Sequence, residues 1–156
     1  MAVRIEIGID TVKPELLAPF WADALGYTVG DMDRAGTYLD LVPPDPSSPG
    51  VYLQRVPEPK TVKNRLHLDL LTAQPDETIT RLILLGATPL GGALSGSEGG
   101  WWQVMTDPEG NEFCVCRADQ GPAGRLTSGC RDGCAMLKRY REALRPRDRG
   151  GRSSVG

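Results

Sequence analysis

The chain has 156 residues, 40% of them hydrophobic and 24% charged, enough for one domain with a sizeable core. Its longest apolar runs, such as LILLGA, are far too short for a bilayer span, and the N-terminal MAVRIEIGID lacks the layout of a signal peptide, so a cytoplasmic location without a membrane partner is expected. The net charge of −2 conceals an asymmetry: residues 1–120 carry 9 Lys and Arg against 17 Asp and Glu, whereas residues 121–156 carry 9 against 3. An acidic body of this kind argues against nucleic acid as partner.

In chain order, the first element is RIEIGID, which alternates Ile5, Ile7 and Ile9 with Glu6, Gly8 and Asp10 as a half-buried strand does. PELLAPFWADALGY follows with helical spacing of Leu16, Leu17, Phe20, Trp21, Ala24 and Leu25. Pro14 and Glu15 suit its first turn and Gly26 its C-terminal stop. Pro19 removes a backbone donor within that stretch, so a kink or a later helix start is expected. YTVGDMD, TYLDLVP and GVYLQRVP then read as short strands, with PPDPSSPG a loop between the last two.

The second half repeats this order. RLHLDLL alternates Leu66, Leu68 and Leu70 with His67 and Asp69; PDETITRLILLGAT is a helix with Ile79, Leu82, Ile83 and Leu85 on one face; ATPLGGAL, WWQVMTD and NEFCVCR are strands, the last two joined by DPEGN. Both halves read β-α-β-β-β. The expected fold is therefore α+β, with two such modules curling a mixed sheet around a shared cavity and helices outside. This domain spans residues 1–119. Residues 120–156 read as a basic, Gly/Arg-rich tail in which CAMLKRYREAL suits a short helix.

If the leucine and isoleucine sets face the helices, the alternate sets face the cavity. These are Glu6, Gly8, Asp10, Arg65, His67 and Asp69 from the two first strands, and Tyr52, Gln54, Glu112, Cys114 and Cys116 from the two last strands. Of the consecutive Trp101 and Trp102, one packs inward and the other faces pocket or solvent; GGALSGSEGG before them suits a loop over the cavity mouth. Four cysteines in two close pairs without a CxxC spacing read as reduced thiols.

FWADALGY, VPEPKTVKNRLHLDLL, LGAT and MTDPEGNEFCVC together resemble the vicinal-oxygen-chelate superfamily, in its glyoxalase-like domain subgroup, over roughly residues 3–118. The resemblance implies the glyoxalase/bleomycin resistance/dioxygenase fold. In metal-dependent members, one ligand stands on the first and last strand of each module, normally His or Glu. Matched onto this sequence these positions are Glu6, Gln54, His67 and Cys114, and only two keep a usual ligand. Asp69 and Glu112 could substitute from positions displaced by two residues.

A neutral amide and a thiol beside one His and one Glu mix hard and soft donors, so the four read as vestigial metal positions. No cofactor is expected, a divalent metal being the alternative. His67 reads three ways: metal ligand, general base or substrate hydrogen-bonder with Glu6 raising its basicity, or structural histidine. Arg65, Asp69, Tyr52, Gln54, Trp102 and Cys114 are candidate substrate-binding residues, Cys114 reading as a small apolar filler or as a nucleophile. The expected function is binding of a small oxygen-rich or aromatic molecule without a physiological metal. The alternative is a metal-dependent lyase, isomerase or dioxygenase with a non-standard ligand set. A homodimer is compatible with either.

Overall fold

The computed structural model describes residues 4–95, 100–120 and 126–128, with side chains described as far as Ala118. The first module comprises β1 (Glu6–Thr11), α1 (Pro14–Leu25), β2 (Thr28–Met32), β3 (Tyr38–Val42) and β4 (Gly50–Arg55). The second comprises β5 (Leu68–Thr72), α2 (Pro75–Leu84), β6 (Thr88–Pro89), β7 (Leu94–Ser95), β8 (Trp101–Thr106), β9 (Glu112–Gln120) and β10 (Leu126–Ser128). Each module builds its own mixed sheet. In the first the order is β1-β4-β3-β2, with β1 and β4 parallel. In the second β9 is central, parallel to β5 and antiparallel to β8 and β10, and β6 and β7 both pair with β8. Neither sheet closes, and the chain is α+β as its sequence implies.

Period-two alternation decides which side chains reach the core. Ile7 and Ile9 on β1, Leu39 and Leu41 on β3, Val51 and Leu53 on β4, Leu68 and Leu70 on β5, and Phe113 and Val115 on β9 all point to one hydrophobic cluster. That cluster also takes Leu17, Ala18, Phe20, Trp21 and Ala22 from α1 and Leu82 from α2. It spans both modules: the rings of Phe20, Trp21 and Phe113 pack edge to face, with centroids 5.3, 5.4 and 5.9 Å apart.

Polar contacts tighten the same junction. Trp21 Nε1 donates to Asp107 Oδ2 at 3.0 Å, and the backbone N–H groups of Val12 and Lys13, with Thr11 Oγ1, donate to the carboxylate of Glu109 at 3.0, 3.1 and 2.7 Å. Lys13 is the N-cap of α1 and offers no side-chain cap of its own. The β8–β9 turn of one module therefore supplies the anionic cap for the helix of the other.

Several expectations are corrected. The first helix begins at Pro14 and runs through Pro19, so there is no later start. Leu16 is 68% exposed, because at 3.6 residues per turn it lies about 140° from Trp21 at the stripe centre. On α2, Leu82 is buried and Ile79 partly so, whereas Ile83 and Leu85 are exposed. ATPLGGAL is two short strands rather than one, interrupted where Gly91 takes φ +73°. The fifth strand begins at Leu68, leaving Arg65, Leu66 and His67 in the approach to it, with Leu66 82% exposed. Strand β10 lies within the segment read as a tail and pairs with the end of β9. Cys116 is disulfide-bonded, not a reduced thiol.

Candidate functional site

The face of the first sheet turned away from the core is set by strand register. Gly8, Tyr52 and Asp40 are cross-strand neighbours in one row, and Asp10, Gln54 and Tyr38 in the next. Glu6, paired with Gly50, stands at the start of β1 and is exposed. Tyr52 is half-buried because its ring lies over β1: a Cβ on Gly8 would come within 2.7 Å of Tyr52 Cζ and Oη. The Tyr38 ring meets that of Tyr52 at 5.9 Å and 72°, and Gln54 is half-buried beside them.

The second sheet gathers His67, Asp69 and Cys114. Asp69 is the register partner of Cys114 across the parallel β5–β9 pair, and His67, just before β5, turns Nε2 toward both. Nε2 lies 3.1 Å from Cys114 Sγ and 3.5 Å from Asp69 Oδ1. Cys114 is buried, and His67 keeps 18% of its side chain exposed. Burial holds the His67 imidazole below the ordinary histidine value, with Asp69 opposing that shift, Lys63 adding to it and Glu112 opposing it. The shift favours the neutral ring at pH 7, with Nε2 the nitrogen placed to share a hydrogen bond with Cys114. Nδ1 is buried with no hydrogen-bond partner among the described residues.

The remaining expected residues lie elsewhere. Arg65 is exposed ahead of β5. Trp102 is 2% exposed, in a second apolar cluster with Val104, Cys114 and Cys116 against which Leu71, Leu90 and Leu94 pack. Glu112 accepts the Asn64 backbone N–H and pairs with Lys60 Nζ, both at 3.0 Å, and so fastens the segment between the modules. Sequence reasoning passed over Tyr38 and Asp40, although the alternation in TYLDLV, with Leu39 and Leu41 inward, carries the signal.

The positions the fold implies for a divalent ion are only partly brought together. Among the described residues, His67, Asp69 and Cys114 bring their ligating atoms within 4.8 Å of one another, and Glu6 does not join them. A metal on Nε2 would force the ring proton onto Nδ1, where a ligating histidine normally finds a carboxylate, carbonyl or water to receive it. Here that nitrogen is buried without an acceptor among the described residues. Stranding an N–H in such a place costs about 1–3 kcal/mol. His67, Asp69 and Cys114 thus form a three-donor cluster that could hold an ion, but it lacks Glu6 of the family set and an acceptor for Nδ1 among the described residues.

Comparison with known proteins agrees with this architecture. A family model described as a glyoxalase-like domain matches residues 6–116. The chain belongs to the glyoxalase-like domain family. No curated protein sequence matches it. Among solved structures, this glyoxalase-like domain is similar to a glyoxalase/bleomycin resistance protein/dioxygenase family enzyme from Burkholderia phytofirmans PsJN, with 18% identity, a TM-score of 0.57, and coverage of 72% of this chain and 95% of that one. A glyoxalase-related enzyme from Fulvimarina pelagi gives 16%, 0.59, 81% and 98%. TioX from Micromonospora sp. ML1 gives 18%, 0.54, 74% and 98%. At these identities the likeness is one of fold. No helix among the described residues of this glyoxalase-like domain is long and apolar enough to cross a membrane.

Proposed function

We propose that this glyoxalase-like domain binds a small organic molecule with an aromatic or oxygen-rich body, and does so without a physiological metal. The observation that carries this reading is the polar and aromatic face opposite the core, where Tyr38, Tyr52 and Gln54 stand partly exposed among carboxylates although the same strands bury their other sides completely. A face built for solubility alone has no need of paired tyrosines; such a mixture of apolar surface and a few convergent polar groups is what small-molecule sites use. In this reading Tyr52 supplies contact area and Gln54 orients the ligand by hydrogen bonds. The neutral His67, held by Asp69 and Cys114, is a fixed polar group of the second module.

The test is a thermal-shift screen of aromatic and oxygen-rich compounds on the full chain after chelator treatment. A ligand at 100 times its Kd stabilises the folded state by about 2.7 kcal/mol, well within reach of such a screen. Hits are expected to survive chelation and to weaken in Tyr52→Ala. Tightly bound stoichiometric nickel, zinc or iron in the untreated protein, lost in His67→Ala, would instead support the metal-dependent lyase, isomerase or dioxygenase reading.

A further inference from the structure

The chemical class of the ligand can be taken further, on the footing of the binding reading above. A cleft of about 210 Å3 opens on the outer face of the first sheet, between Glu6, Asp40, Val42, Gly50 and Tyr52. Two glycines shape it. Gly8, the register partner of Tyr52, leaves room for the Tyr52 ring to lie across β1, and Gly50, the partner of Glu6, leaves room for the Glu6 side chain, whose Cγ lies 3.1 Å from where a Cβ would stand. Tyr38 braces that ring edge to face. Asp40 stands directly beside Tyr52 in register, and Asp10 lies one row further along β1. Every charged group in these three strands on this face is a carboxylate, and none has an ion-pair partner among the described residues.

We infer that this cleft is a subsite for the cationic group of an amine or quaternary ammonium ligand, seated against the Tyr52 ring between Glu6 and Asp40. An aromatic face attracts a cation through its quadrupole, and flanking carboxylates supply the counter-charge that an aliphatic or anionic ligand could not use. The surplus of acidic residues over residues 1–120 strengthens the same preference at longer range.

The experiment titrates the 15N-labelled full chain with benzyltrimethylammonium and, separately, with phenylacetate, following the backbone amides of Gly8, Gly50 and Tyr52. Benzyltrimethylammonium is expected to shift these amides saturably, less strongly as salt is raised. Tyr52→Leu and Asp40→Asn are each expected to weaken binding about tenfold, whereas Tyr52→Phe, which keeps the ring, retains it. None of these side chains belongs to the core cluster, so the variants should fold, and unchanged spectra elsewhere will show it. Phenylacetate moving the same amides equally well would overturn the cation subsite and leave the small-molecule reading standing. No shift with benzyltrimethylammonium, or binding indifferent to both Tyr52→Leu and Asp40→Asn, would also overturn the subsite; only a screen without any hit removes the broader reading.

Discussion

His67 shows how much a single residue's meaning depends on what surrounds it. It is the only histidine in the chain, and burial lowers its pKa in the folded state. The unfolded chain takes up a proton as pH falls through about 6.5, while the folded protein does not until lower pH. Stability is therefore present above 6.5 and lost as pH falls from there toward the depressed folded value. Denaturation midpoints recorded from pH 8 to 5 should fall in the parent and fall less in His67→Gln; parallel curves would show that the ring is not buried as described. Asp107 carries the opposite shift, raised chiefly by burial and held down in part by donors from Asn111, Trp21 and Glu109. Asp107→Ala should cost about 1–3 kcal/mol for each buried donor it strands, with Trp21 Nε1 foremost, measurable by chemical denaturation.

At the scale of elements, the strands were the most legible. Alternation in RIEIGID, TYLDLV and GVYLQR assigns each side chain to a face without knowledge of the partner strands, because the pleat repeats every two residues. Helices were less so. The apolar residues of α2 outnumber those it buries, since a ten-residue helix lying on one sheet offers a narrow stripe and leaves Ile83 and Leu84 outward. The start of α1 was readable from Pro14 and Glu15, but its cap was not: Glu109 is 96 residues from Lys13. Glu109→Ala should destabilise the protein by about 0.5–2 kcal/mol, as loss of an N-cap does, with an unchanged denaturant slope. A neutral result would mean that solvent satisfies those amides equally well.

The two modules are folding partners rather than independent units. Trp21 and Phe20 of the first pack on Phe113 of the second, and Leu82, Met105 and Val115 complete the cluster. Splitting it would expose aromatic and aliphatic surface on both pieces, each too small to bury enough elsewhere. A fragment ending at residue 58 is therefore expected to be unfolded by circular dichroism and amide dispersion. The full chain should lose tryptophan fluorescence and secondary structure in one coincident transition; two separated transitions would contradict a shared core.

By itself the sequence determined that each half is a strand, a helix and a run of further strands, the α+β class and which face of β1, β3, β4 and β9 turns inward, because these follow from local periodicity and turn chemistry. Tertiary structure alone decided which polar residues meet. Nothing in DPEG announces that Asp107 receives the Trp21 indole and Glu109 caps α1, and nothing in NRLHLDL shows that His67 turns Nε2 to Cys114 and buries Nδ1. Nor could composition reveal that Gly8 makes room for the Tyr52 ring and Gly50 for the Glu6 side chain, since that depends on the parallel register of β1 with β4. Contacts between residues 40 to 100 positions apart are fixed by strand pairing and core packing, and no local pattern encodes them.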